Sequence, residues 1–347
     1  MGALQIRLAN RTRWGRRLQR SIAVETVARG RVKASQPVRE NAILLSIPSV
    51  VVVQSRVETK KRYGMTVSVL VPSSLVREAE DKREATRKLG YVARAAAVFR
   101  ADRLVVFDDP EGENNWGGGF VETVLRYAAT PPYLRKEAFG TRSELEYAGI
   151  LPPLLVSAWT GSESSGSGSK RQGIVTQVGP EGRVRVNCGM QHPISLHAPP
   201  GMEVREGERV TIRVSSRRPV RAKLLDETPP GFQVVRSNLG DELDRPDAGY
   251  RVATSRHGTP LSASSMPDVT RRVTEDGLTV AFGAPARGLP PMLGIDESTV
   301  EEASADSATH APGGFDTWLN VIPRQGSEVV RTEEALFAAL SCLTLTE

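Results

Sequence analysis

Cysteine is almost missing: Cys188 and Cys342 are the only two in 347 residues, and nothing marks them as a pair. That excludes a disulfide-stapled secreted scaffold and points to a reducing compartment, so the chain is expected in the cytoplasm. Histidine is nearly as scarce, at four (His192, His197, His257, His310). The four are scattered, and no metal-ligand spacing joins them to the cysteines, so no metal site is expected. No hydrophobic run reaches the length of a membrane span. The best candidate, Ala42 to Val53, is broken by Ser46, Pro48 and Ser49, so no membrane partner is expected. The phosphate loop Gly-x-x-x-x-Gly-Lys-Ser/Thr is absent, which argues against nucleotide hydrolysis. Lysine is short against arginine, 8 to 38, a skew that reflects a G+C-rich genome more than a function. Aromatics make up 5% of the chain, with none between Lys170 and Leu225.

What is present is a soluble globular composition, 39% hydrophobic and 25% charged, in a chain long enough for two or three domains. Charge is unevenly divided. Residues 1–64 hold 14 basic and 3 acidic side chains, and residues 170–225 hold 11 and 4, whereas the rest is acidic. A basic module in an acidic body is the footprint of a nucleic-acid contact surface; a solvated basic face without a partner is the plainer alternative.

Along the chain, residues 1–64 show little periodicity. They read as a basic arm for RNA phosphates, as a targeting peptide, or as an artefact of start-site choice. Order begins at Met65. Val67, Val69 and Val71 with Leu70 form an apolar strand ending at Pro72, after which Ser73 or Ser74 can cap a helix. That helix turns amphipathic through Leu89, Val92, Ala93, Ala96 and Phe99. Leu104–Phe107 reads as a buried parallel strand and Phe120–Tyr127 as a helix, so the pattern argues for an α/β layer. Gly161–Ser169 is a flexible linker by composition. Beyond it the period becomes two: Val184, Val186 and Cys188, later Val210, Ile212 and Val214. Ile174, Thr176 and Val178 share one side of an earlier run, blurred by Val175. Short strands at this spacing suggest an OB-like β-barrel. Alternation places Arg183, Arg185, Arg209 and Arg213 outward, where they suit phosphate. Without aromatics, backbone or shape contact is expected rather than base stacking. The stretch Asp296–Gly314 shows no apolar periodicity and is expected as a mobile loop.

The C-terminal segment carries the chemistry. Asn320-Val321-Ile322-Pro323-Arg324-Gln325-Gly326-Ser327 is a polar loop running into an apolar helix, with Ala335, Leu336, Ala339, Leu340 and Leu343 at helical spacing. Thr332 is the expected N-cap, and the glutamates that follow suit the positive helix end. This text resembles the C-terminal motif of the putative RNA methyltransferase family of the SPOUT superfamily, knotted S-adenosylmethionine enzymes. Tyr250–Gly258 resembles the family's strand followed by a Thr-Ser-x-x-Gly loop. Leu278–Leu289 resembles its second strand and Gly-rich loop. Val67–Leu75, Val92–Arg100, Thr130–Arg135 and Tyr147–Leu154 also read as family text, so the likeness runs from about Met65 to the end.

The resemblance implies a knotted SPOUT-type parallel sheet built from residues 65–160 and 226–347, with the barrel of 170–225 inserted as an RNA-binding module. It implies S-adenosyl-L-methionine as cofactor, held by Gly283, Gly288 and Leu289 of the second loop and by Asn320, Ile322, Gln325, Gly326 and Thr332 near the third. Arg331 lies where the family keeps an Arg-Thr pair and is expected to act on substrate phosphate or the target base; alternatively it pairs with Glu333 or Glu334, or with a facing carboxylate, to hold the helix. The implied function is methylation of RNA, ribosomal RNA above all, by a homodimer. Departures are plain. Gly283-Ala284 replaces Gly-Gly, His257 stands at an arginine position, and Ser327–Arg331 departs from Ser-Arg-Thr-Ile-Arg. A non-catalytic RNA-binding protein is the rival reading. His257 reads as a surface histidine, Asp316 and Trp318 as structural, and Glu333 and Glu334 are equal candidates for a general base.

Overall fold

The computed structural model describes residues 66–109, 116, 119–156, 169–217, 219–305 and 311–345. The basic segment 1–64 and residues 161–168 of the linker lie outside the described residues.

The parallel layer grows around β1 (Val67–Pro72), all of whose residues are buried, as expected for a strand covered on both faces. It pairs in parallel with β2 (Arg103–Phe107) on one side and β10 (Leu278–Ala281) on the other. With β8 (Gln233–Arg236), β9 (Tyr250–Pro260) and β11 (Thr317–Asn320) it makes a six-stranded sheet, ordered β11-β9-β10-β1-β2-β8. Among the described residues the helices are α1 (Lys82–Val98), α2 (Phe120–Ala129), α3 (Arg135–Phe139), α4 (Leu239–Leu243), α5 (Met266–Asp276), α6 (Leu289–Met292), α7 (Glu297–Ala305) and α8 (Thr332–Leu343). One face of the sheet packs with α1, α2 and α8 through Leu89, Val92, Leu125, Leu336 and Leu340. The other carries a smaller cluster of Leu70, Ala253, Val300, Phe315 and Trp318.

The first helix starts later than its serines led us to expect. Residues 73–78 form turns, with Leu75, Val76 and the following Ala79 buried against the core. The cap is Asp81, whose carboxylate accepts from the Glu84 amide at 2.6 Å. The stretch expected to be a mobile loop contains α7. Only Val300 of that helix is buried, so one anchoring residue left no periodicity to read.

Five antiparallel strands form the second sheet: β3 (Ser169–Val178), β4 (Arg183–Asn187), β5 (Ile194–His197), β6 (Arg209–Arg217) and β7 (Val220–Leu225), ordered β5-β4-β3-β6-β7. The edge strands β5 and β7 approach each other, leaving a nearly closed barrel. Its core is Val175, Val184, Val186, Cys188, Leu196, Val210, Ile212, Val214 and Leu224. The blurred alternation of β3 has a cause: the register slips between Val175 and Gln177, so Ile174 and Val175 are both buried and Val178 is exposed.

The barrel sits against the parallel layer through Tyr133. Its hydroxyl donates to the Gln172 carbonyl at 3.3 Å, and its ring fills the space a Cβ on Gly189 would need, 2.5 Å away. Arg209 belongs to this contact and not to the outer face. Its guanidinium turns toward the Ala129 carbonyl at 3.4 Å, and burial draws its pKa down. Arg183 and Arg185 are exposed as expected, and Arg213 is half-buried.

Candidate functional site

Three loops at the carboxyl ends of β9, β10 and β11 close around a cavity of about 320 Å³. That lies within the roughly 300–1,000 Å³ usual for ligand pockets, at the strand ends where open α/β sheets take ligands.

The first loop is not a connection after a strand but an excursion within one. Ala253 pairs with Trp318 and Thr259 with Leu319, so residues 254–258 leave the ladder opposite two adjacent residues of β11. Gly258 closes the excursion because a Cβ there would stand 2.8 Å from the backbone of Trp318 and Leu319. Thr254, Ser255, Arg256 and His257 thereby face the cavity. The second loop turns at Ala286 and Gly288, both with positive φ, and Ala284 bridges back to Gly288. Gly283 is demanded by packing: a Cβ would lie 2.2 Å from the Leu289 nitrogen.

Side chains stitch the loops together. The Thr254 hydroxyl donates to the Ala281 carbonyl at 2.9 Å, tying the first loop to the strand that feeds the second. The Asn320 amide donates to the Arg256 carbonyl at 2.9 Å, and its oxygen accepts from the Ile322 amide at 3.1 Å. The Thr332 hydroxyl donates to the Gly283 carbonyl at 2.8 Å. Arg287 reaches buried Asp109 with both carboxylate oxygens at 2.9 Å, which moors the second loop to the region after β2.

This arrangement sorts the expected residues. Gly283, Gly288, Asn320, Ile322, Gln325 and Thr332 line the cavity. Leu289 does not; it is fully buried in the smaller core. Gly326 is also outside the lining, with nothing within 4 Å of a Cβ, so neither packing nor φ requires a glycine there. Gln325 folds its own loop, donating to the Ser327 and Glu328 carbonyls.

Thr332 is not the N-cap. It is the first helical residue, turned inward to Gly283, and Arg331 takes the cap position. A guanidinium has no acceptor, so the cap is made from the other side: Glu334 accepts from the Arg331 amide at 2.9 Å. The Arg331 side chain is exposed, holds neither glutamate and lies outside the lining. Glu333 is buried against α1 near Lys88, and burial raises its pKa. Neither glutamate lines the cavity.

Sequence reasoning missed α7 and what it holds. His257 lies between two of its carboxylates, with Nδ1 2.7 Å from Glu301 and Nε2 3.2 Å from Glu297, and Arg256 donates to Nε2 at 2.9 Å. Glu297, Glu328, Phe282 and Arg287 also line the cavity. The i, i+4 carboxylates Glu297 and Glu301 were the available signal. Asp316 is structural as expected, bound by Arg251 at 2.7 Å, and the Trp318 indole donates to the Pro312 carbonyl at 3.0 Å. Among the described residues no His, Cys, Asp or Glu group is arranged to hold a metal, and no helix is long and apolar enough to cross a membrane.

A family model described as "Putative RNA methyltransferase" matches residues 66–343. The chain belongs to that family. It is an RNA methyltransferase. An uncharacterized protein of Halobacterium salinarum is 76% identical over 283 residues, covering 82% of this chain and 100% of its own length. The 28S rRNA (uridine-N(3))-methyltransferase of Drosophila melanogaster is 29% identical over 315 residues, 80% of this chain and 61% of that protein. Its human namesake is 28% identical over 312 residues, 80% of this chain and 77% of that protein. The matched span contains both sheets and all three loops of the RNA methyltransferase.

Proposed function

We propose that this methyltransferase uses S-adenosylmethionine to methylate a ribosomal RNA base, with uridine N3 as the target by likeness to its fly and human relatives. The observation that carries the reading is the convergence of three stitched loops on one cavity.

The lining suits such a donor. Phe282, Val321, Ile322 and Ala335 offer apolar walls for the adenine, and Glu297 and Glu328 suit its cationic sulfonium and ammonium. Asn320, Thr332 and Gly283 would hold the loops that carry the backbone donors. When bound, the donor supplies an electrophilic methyl group. Uridine N3 must lose a proton as it gains that methyl. His257 Nε2 is the acceptor we assign once the substrate displaces Arg256 from it, with Glu301 at Nδ1 fixing the tautomer that leaves Nε2 unprotonated.

The wider reading has three parts. Residues 65–160 and 226–347 act as the catalytic domain, and 170–225 as an OB-like RNA-binding insertion. A knot in the catalytic domain belongs to the same proposal, and what supports it is that β11 pairs with β9 before α8 returns past Gly283 to pack on α1. The enzyme works in the cytoplasm as a homodimer.

Calorimetry with S-adenosylmethionine and tritiated-methyl transfer to ribosomal RNA test the proposal. Donor binding by the wild type, weakened at least tenfold in Asn320→Ala, supports it. RNA binding without donor binding or transfer would favour the non-catalytic reading.

A further inference from the structure

The outer face of β6 and its neighbours holds an arrangement that the folded protein alone does not explain. In the register, Lys170 of β3 stands directly opposite Arg213 of β6, and Arg213 directly opposite Lys223 of β7. Directly opposed side chains have Cβ atoms about 4.5–5.5 Å apart, and like charges at that separation destabilise a sheet. Lys170 is relieved by Glu227 at 2.6 Å. Among the described residues Arg213, Lys223 and nearby Arg221 have no ion pair at all. No carboxylate shares this face on either strand: Arg213 is flanked on β6 by buried Thr211 and exposed Ser215, and Lys223 on β7 by exposed Arg221 and half-buried Leu225.

We propose that this row is a docking track for the sugar-phosphate backbone of double-helical RNA. It rests on the RNA-methyltransferase reading and adds where the substrate is gripped outside the cavity. Three strands hold the cations in line at the spacing of neighbouring strands, about 4.8 Å, so the row is pre-formed. A polyanion lying along it removes the repulsion that the fold tolerates. The barrel has no aromatic side chain on which an unpaired base could stack, so the contact is to backbone and shape.

The test is fluorescence anisotropy with a labelled RNA duplex of about 16 base pairs, between about 50 and 200 mM salt. For the double variant Arg213→Gln/Lys223→Gln we expect at least tenfold weaker binding, a salt dependence shallower by about one to two in log–log slope, and a melting temperature equal to or above wild type. The control is Arg271→Gln/Arg272→Gln, whose guanidinium groups are both held by Asp268 and should not alter the slope. Wild-type affinity and slope in the barrel variant would overturn the inference, as would equal losses in the control, or tighter binding of a single strand than of the duplex. If wild type methylates RNA while the barrel variant binds as wild type does, this inference alone falls. If wild type binds no RNA, the proposed function falls with it.

Discussion

The parallel layer and the barrel treat arginine in opposite ways. In the layer, Arg103 holds Glu242, Arg236 holds Asp108, Arg251 holds Asp316, Arg271 and Arg272 hold Asp268, and Arg287 holds Asp109. In the barrel, Arg183, Arg185, Arg213 and Arg221 hold no carboxylate among the described residues. The acidic body thus uses its cations internally, to join strands and moor loops. The basic barrel pairs Lys170 with Glu227 but leaves these four arginines without a carboxylate partner among the described residues. Bulk charge marked the barrel as different; pairing shows that the difference is one of use.

Substitutions should separate the two regions. The largest effect is expected from Gly283→Ala, whose new Cβ would meet the Leu289 nitrogen at 2.2 Å. The loop must move or the chain must lose about 3 kcal/mol of stability, read by denaturant unfolding, and donor binding should vanish. Thr332→Val removes the bond to the Gly283 carbonyl at little change of volume. It should cost about 1–2 kcal/mol and at least tenfold in donor affinity by calorimetry, with RNA affinity unchanged. His257→Ala should lower methyl transfer roughly 100-fold and leave donor and RNA affinities near wild type. A barrel variant that lost donor affinity, or a loop variant that lost RNA affinity, would erase the division of labour.

The smallest effect concerns a buried charge. Burial holds the Glu333 carboxyl above its ordinary pKa. A raised folded-state value means the group favours folding while protonated, and this contribution is lost as pH rises through that value. Glu333→Gln should therefore melt a few degrees above wild type at neutral pH. The gap should close below about pH 4, where both forms are neutral. Wider separation at low pH would show the sign to be wrong.

Alternation made most of the barrel legible, because Val184, Val186, Val210, Ile212 and Val214 must all point inward for the sheet to have a core. It failed at Val175, where a bulge lets two successive residues be buried. It also failed at Arg209, where the outward side meets α2 rather than water. In the parallel layer β1 and β2 could be read from apolar runs. α7 could not, since one valine makes no pattern. For the site, the wording of the loops named residues that do line the cavity, Asn320 and Thr332 among them. It could not tell a residue that faces a ligand from one the fold itself needs. Leu289 is core, and Arg331 has its backbone capped by Glu334. His257 acquires its surroundings from a helix far along the chain, which no local reading of Thr254–Gly258 contains.

The excursion of β9 has a mechanical consequence. Because residues 254–258 leave and rejoin a paired strand, both their ends are clamped to β11, and His257 is tethered to α7 besides. This wall is held at two paired positions of one neighbouring strand. Breathing that admits a ligand is therefore expected across the cavity, in residues 321–330, which connect strand to helix without pairing to a neighbouring strand. Backbone relaxation measured with and without a ligand should find its contrast there, with the opposite wall unmoved.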